Sequence, residues 1–150
     1  MDTRTRRRRR TSTPGQRRTA NAQAKMRYNT DWRVRMTQLV HSRRTHARKQ
    51  NALFTITPAE VLTMLEDNGR RCMRTGIQLR LQSTSQNHPS YNPWAPSIER
   101  VYPDMGYTLD NLEIVCFMYN TAKGRGSVPE LLHFAQRLLS NNTEEIPETL

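Results

Sequence analysis

The sequence has few of the features that would staple or anchor a chain. Two cysteines among 150 residues, Cys72 and Cys116, cannot build a disulfide framework and point to a reducing, intracellular setting. Apolar residues never accumulate far enough to span a bilayer: the richest stretch, Leu112 to Met118, falls well short of the roughly 20 residues a membrane helix needs. The basic start is not followed by an apolar segment, so no secretory signal peptide is expected. There is no internal repeat. Acid is scarce in the first third of the chain, where residues 1–50 hold 16 Lys and Arg against Asp2 and Asp31, a net +14. Residues 51–150 hold 8 Lys and Arg against 11 Asp and Glu, a net −3, so the whole +11 excess is N-terminal. Such a half favours a polyanionic partner, nucleic acid first, because each neutralised phosphate releases counterions. A membrane surface is the weaker choice, since nothing apolar accompanies the charge.

The length suits one modest domain with some chain left for arms. Residues 1–27 carry Arg6, Arg7, Arg8, Arg9 and Arg10, then Arg17 and Arg18, with no apolar period. They read as an Arg-rich arm, disordered in isolation, that lies along phosphates or is simply solvated; a nuclear-import signal has the same composition. Residues 28–56 read as a basic amphipathic helix and linker. Thr30 is its expected N-cap, Trp32, Met36, Leu39, Val40 and Ala47 its apolar side, and Arg33, Arg35, Arg44, Arg48 and Lys49 its charged one, facing nucleic acid or plain solvent.

Residues 57–142 hold the folded domain. Thr57-Pro58-Ala59-Glu60 is a capping box with proline at the first helical position, and the helix it opens should stop at Asn68-Gly69. Arg71 to Gly76, followed by Ile77, Leu79 and Leu81, suggests a tight hairpin. Residues 83–96 read as a loop whose Tyr91, Pro93 and Trp94 pack over the domain or stack on bases. Ser127-Val128-Pro129-Glu130 opens a last helix, with Leu131, Leu132, Phe134, Ala135, Leu138 and Leu139 as its inner face and an end near Asn141. Residues 143–150 are an acidic tail expected to fray.

Within this domain, Ser97 to Gly124 packs the most pattern into the least chain. Ile98 and Val101, then Leu112, Ile114 and Val115, make two short β-prone runs, separated by a Pro103-Asp104-Met105-Gly106 turn and an Asp110-Asn111 bend. Phe117 to Lys123 loses the alternation and closes on Gly124, a short helix with a glycine stop. Metal-dependent phosphodiester chemistry needs oxygen or nitrogen ligands on rigid elements and cations for the phosphate. Glu99 offers a carboxylate and Asn120 an amide oxygen, a set that suits a hard cation, with Arg100, Lys123 and Arg125 as nearby charge.

Cys72-x-x-Thr75-Gly76, Pro96-Ser97-Ile98-Glu99-Arg100-Val101, Gly106-Tyr107-Thr108-Leu109-Asp110-Asn111-Leu112, Val115-Cys116 and Asn120-x-x-Lys123 follow one another in an order that resembles HNH (ββα-metal) endonucleases. The series is similar to phage-type members, including the recombination endonuclease VII group, and covers roughly residues 57–124. The resemblance implies an α+β fold, a small ββα-metal core with flanking helices, in a phage or mobile-element protein working in the host cytoplasm. It gives Glu99 the metal-ligand place, Arg100 that of the base, Asn111 that of the asparagine tying the inter-strand loop, and Asn120 that of the helix residue completing the metal site. The cofactor so implied is Mg²⁺ or Mn²⁺.

Two positions depart from the commonest pattern. Glutamate replaces aspartate and lengthens the ligand arm. Arginine replaces histidine, and a guanidinium that stays protonated is a poor base, though it can clamp the phosphate. His88 is the nearest candidate for a replacement base. Glu99 and Arg100, as consecutive strand residues, can share a site only at a strand end or bulge, which Tyr102-Pro103 could supply. Many relatives bind structural zinc through paired Cys-x-x-Cys knuckles; here Thr75 and Tyr119 stand at the second positions, so zinc is not expected and the two cysteines should be buried neighbours. The expected function is metal-dependent hydrolysis of DNA, double-stranded or branched. The alternatives are a degenerate HNH-fold protein that binds or helps package nucleic acid without cutting it, and an RNA-binding component of a ribonucleoprotein.

Overall fold

Among the described residues, three of the five α-helices start from the same device, a Ser or Thr N-cap with Gln or Glu at the third helical position and proline in the first turn. In the structure, a computed structural model that describes residues 13–83 and 90–142, they are α1 (Pro14–Thr30), α3 (Pro58–Asp67) and α5 (Val128–Asn141). In each, the cap side chain accepts from the third N–H and the Gln or Glu side chain accepts from the cap N–H, so two orphan donors are satisfied reciprocally. The N-terminal arm is therefore helical from Pro14, where an unstructured segment was expected. The cap at Thr13 and the run of alanine, glutamine and basic residues favour helix locally, although none of its residues is buried.

The basic helix α2 runs from Trp32 to Lys49. Its N-cap is Asp31, not Thr30: the Asp31 carboxylate accepts from the N–H groups of Arg33 and Val34, while the Thr30 hydroxyl donates back to Met26 C=O inside α1. Met36, Val40 and Ala47 are fully buried and join Ile56, Val61 and Leu65 in the core. Burying a side chain of that size contributes about 1.5–3 kcal/mol. Arg35 does not face outward either. It is 8% exposed, with its guanidinium 3.9 Å over the Tyr28 ring, and ties α1 to α2. Burial pulls its pKa down and the neighbouring Tyr28 partly offsets this.

The sheet has two antiparallel strands, β1 (Pro96–Arg100) and β2 (Leu112–Cys116), paired in regular register from Pro96 opposite Cys116 to Arg100 opposite Leu112. Helix α4 (Phe117–Lys123) follows β2 without a linker and stops at Gly124, whose φ is +53°. The result is a strand–loop–strand–helix unit in the order read from the sequence; the helix keeps its expected bounds, Phe117 to Lys123, whereas Val101, expected in the first strand, lies just beyond its end at Arg100. Its loop is fastened by Asn111, which is 1% exposed. The Asn111 side chain accepts from Tyr102 N–H at 2.8 Å and donates to the carbonyls of Tyr102 at 2.9 Å and Gly106 at 2.8 Å. Gly106 is required for a second reason: at φ +76° a Cβ would lie 2.6 Å from the carbonyl oxygen of Leu53. That close approach lets Tyr107 N–H donate to Leu53 and Thr55 N–H to Tyr107, pinning the loop to the segment before α3.

Two expectations for the flanks change. Residues 71–81 form no ladder; a single antiparallel bridge joins Arg71 and Gln78, because the turn from Cys72 to Gly76 spends its backbone groups internally, Gly76 N–H on Cys72 and Cys72 N–H on Ile77. No residue of α5 is buried; Leu132, Phe134, Leu138 and Leu139 are all more than half exposed and only Leu131 packs against the core, since α5 touches the domain mainly through α4. Trp94 is half-buried against the core, and Tyr91 meets Phe117 edge-on at 6.2 Å, so both pack on the domain. Among the described residues no helix is long and apolar enough to cross a membrane.

Candidate functional site

Strand geometry puts Ser97 and Glu99 on one face of β1, and helix geometry puts Asn120 and Lys123 on one face of α4. The two faces are clasped. Asn120 Nδ2 donates to Ser97 Oγ at 2.6 Å and Lys123 Nζ to Glu99 Oε1 at 2.8 Å. The side chains of Lys123 and Glu99 are only 8% and 13% exposed. Directly across the sheet from Glu99 stands Glu113, a like charge on the same face, which would repel it if both were unpaired. Each carboxylate has its own cation: Lys123 serves Glu99 and Arg74 serves Glu113. Tyr119 lies in the same field, its phenol pushed up chiefly by burial and, more weakly, by Glu113 and Glu99.

Helix α2 closes the other side. The Arg43 guanidinium donates to Ser97 Oγ at 3.4 Å, and His46, one turn further on, has Nδ1 3.3 Å from Tyr107 Oη. Arg100 sits 4.7 Å over the Tyr107 ring. Between α2, β1, α4 and the Pro103-Asp104 turn lies a groove of about 840 Å³, mostly polar, lined by Arg43, His46, Glu99, Arg100, Asn120 and Arg125 among others. Glu99 and Arg100 reach it together because the strand ends at Arg100; the register carries no bulge.

The sequence-derived residues thus separate into groups. Glu99, Arg100, Asn120 and Arg125 converge on the groove. Asn111 does not line it; it holds the loop from which Tyr107 reaches it. Lys123, expected among the phosphate-binding cations, is committed to Glu99 instead. Arg17, Arg18, Arg33, Arg48 and Lys49 are exposed along α1 and α2, Arg44 is half-buried 5.0 Å over the Phe54 ring, and Arg35 is withdrawn beneath Tyr28. Arg6 to Arg10, His88 and the acidic tail lie outside the described residues. Arg43 and His46 were not singled out from the sequence, and Ser97 and Tyr107 stood within its motifs without a role of their own. The signal that could have found them was a polar stripe of Arg43 and His46 on α2 continued by Gln50 at its C-cap, at helical spacing, and the alternation of Ser97 with Glu99.

The oxygen atoms left over decide what cation fits. Glu99 keeps one carboxylate oxygen beyond its bond to Lys123, and Asn120 keeps Oδ1 once its nitrogen is turned to Ser97. One carboxylate and one amide suit a Mg²⁺ that retains several waters, not a cation needing a full protein cage. Among the described residues no three His, Cys, Asp or Glu side chains converge. Behind the sheet, Cys72 and Cys116 are buried side by side. Burial raises both thiols, but hydrogen bonds from the Thr75 side chain and from the backbone of Cys116, Arg74 and Thr75 leave Cys72 below its ordinary value; Cys116, raised by burial and by Cys72, stays above.

No family model, no curated protein and no solved structure matches this chain.

Proposed function

We propose that the chain is a metal-dependent DNA endonuclease of HNH type, with its cleavage centre in the groove between β1, α4 and α2. The observation that carries this reading is the clasp of Ser97-x-Glu99 on Asn120-x-x-Lys123 at the wall of a groove that also receives Arg43, Arg100 and Arg125. A strand carboxylate and a helix amide share one end, and guanidinium groups line the rest. That is a layout for an anionic diester beside a hard cation.

Glu99 and Asn120 would hold the Mg²⁺ or Mn²⁺, which when bound supplies Lewis-acid polarisation of the phosphate and a more acidic water. Ser97 orients the Asn120 amide, and Lys123 fixes the Glu99 carboxylate at the groove wall. Arg100, held against Tyr107, presents a permanent positive charge to the scissile phosphate and stabilises charge that builds on its oxygens, the role a guanidinium can fill where it cannot serve as base. The exposed cations of α1 and α2, Arg17, Arg18, Arg33, Arg48 and Lys49, extend the positive surface for the flanking duplex.

A second reading has its own observation. The Lys123–Glu99 pair already satisfies the carboxylate, as it would in a nucleic-acid-binding protein that kept the scaffold and lost the cation. Supercoiled and branched DNA incubated with the chain in Mg²⁺ or Mn²⁺ separates the two. Nicks that vanish in Glu99→Ala and in Asn120→Ala, with duplex binding kept, support the enzyme. Tight binding without any nicking supports the binder.

A further inference from the structure

Hydrolysis of a phosphodiester needs an acceptor for the proton of the attacking water, and the guanidinium of Arg100 cannot provide one. We propose that His46, from helix α2, is that general base. The inference rests on the endonuclease reading and adds to it a catalytic residue from a different element.

Of the described residues lining the groove, the carboxylate of Glu99 is clasped by Lys123, and Arg43, Arg100 and Arg125 remain cationic. Asp104, on the turn, offers a carboxylate, which is by its chemistry a far weaker base than an imidazole. His46 is the imidazole among the described lining side chains, and imidazole is the side-chain type suited to taking up a proton near neutral pH. Its position is also fixed. It lies one turn beyond Arg43, which is anchored on Ser97, and its Nδ1 is 3.3 Å from the hydroxyl of Tyr107. Tyr107 is only 3% exposed and is held by the backbone bonds to Leu53 and Thr55 and by packing against Phe54 at 5.5 Å. A histidine at the helix surface thus has one ring nitrogen tied to a rigid, buried phenol. The proposal requires the tautomer in which Nδ1–H donates to Tyr107 Oη, so that Nε2 carries the lone pair.

In the step so assigned, a water oxygen forms a bond to phosphorus while its proton passes to His46 Nε2. The bond from phosphorus to the leaving sugar oxygen breaks, and that oxygen keeps the electron pair and takes a proton from solvent. Arg43 on the same helix, Arg100 on the Tyr107 ring, and Glu99 and Asp104 across the groove share it with the imidazole, Glu99 being paired with Lys123. The same Tyr107 therefore orders the base through its hydroxyl and the phosphate-binding arginine through its ring.

The test compares the full chain with His46→Ala and His46→Gln for Mg²⁺-dependent nicking of supercoiled DNA, duplex affinity and thermal melting. His46 is exposed, so both variants keep the fold. The expected result is a loss of about 10²–10³-fold in nicking rate with affinity unchanged. Added imidazole restores part of the rate to His46→Ala, and the rise of rate with pH through the imidazole range disappears. Tyr107→Phe, which keeps the ring under Arg100 and removes the hydroxyl, gives a smaller loss. His46→Ala nicking within about threefold of the wild-type rate, while Glu99→Ala is inactive, overturns the role of His46 and leaves the endonuclease reading standing. Failure of the wild-type chain to nick sinks both.

Discussion

Replacing Asn111 by alanine should unfasten the loop that carries Tyr107, at a cost that can be worked from its hydrogen bonds. The amide makes three, to the N–H and C=O of Tyr102 and the C=O of Gly106, at 2.8, 2.9 and 2.8 Å. At about 1 kcal/mol net each their loss costs about 3 kcal/mol. The two bonds to the Tyr102 backbone are only part-buried, so water can take them over, but the bond to Gly106 is buried and that carbonyl is left facing an alanine. That adds roughly 1 kcal/mol or more, for about 4 kcal/mol in all. For a domain whose total stability lies in the usual range of about 5–15 kcal/mol, this is a large fraction. Urea unfolding followed by the fluorescence of Trp32 and Trp94 measures it, with the slope against denaturant unchanged. Asn111→Asp is the sharper control. It keeps the acceptor towards Tyr102 N–H but turns a second acceptor on two carbonyls, so it should be at least as damaging as alanine. A loss below about 1 kcal/mol in both variants would refute the claim that this side chain holds the loop.

Other outcomes follow from the same geometry. Lys123→Gln leaves the Glu99 carboxylate without its cation in a site that is mostly buried, so it should destabilise by about 3 kcal/mol. Saturating Mg²⁺ should restore part of that loss in a thermal melt, because the cation binds the folded state; a deficit indifferent to Mg²⁺ would argue against Glu99 as its ligand. Gly106→Ala forces a Cβ to within 2.6 Å of Leu53 O at a positive φ and should lower stability by more than about 2 kcal/mol, read by calorimetry. The carboxylates of Glu60 and Glu130 are lowered by their hydrogen bonds to Thr57 and Ser127. Their folded-state pKa values lie below the unfolded ones, so the capping contribution is full above the ordinary carboxylate range and is lost as pH falls through the folded values. Circular dichroism should show helix ends weakening below about pH 4, and Glu60→Gln should blunt that change. Removing residues 1–30 should weaken duplex binding and make its salt dependence shallower, by about 0.9 in the log–log slope for each phosphate that the shortened chain no longer neutralises.

The parts legible in the sequence were those specified by neighbours. The caps at Thr57 and Ser127, the helix Phe117–Lys123 with its stop at Gly124, and both strands of the unit could be read because each signal lies within a few residues of the element it sets. Helix α1 was missed because no apolar period marks it; its capping box at Thr13 was the signal, in a segment dominated by charge. The outward role assigned to Arg35 failed because nothing local says that Tyr28, on the preceding helix, will cover it. The apolar face of α5 repeats properly, but periodicity alone does not show whether a partner surface exists. The groove was half legible. Glu99, Arg100 and Asn120 belong to one contiguous stretch, whereas Arg43 and His46 arrive from a helix that only tertiary packing brings beside β1.

The central claim is that the groove between β1, α4 and α2 cuts DNA with Glu99 at its metal. The most direct measurement is the rate of plasmid nicking against Mg²⁺ concentration for the full chain beside Glu99→Gln, which preserves shape and removes the charge. The expected result is a rate that saturates with Mg²⁺ in the wild-type chain and is lost in the variant, at equal affinity for duplex. Nicking by Glu99→Gln at the wild-type rate, or a wild-type chain that binds DNA tightly and leaves it whole at every Mg²⁺ concentration, would contradict it.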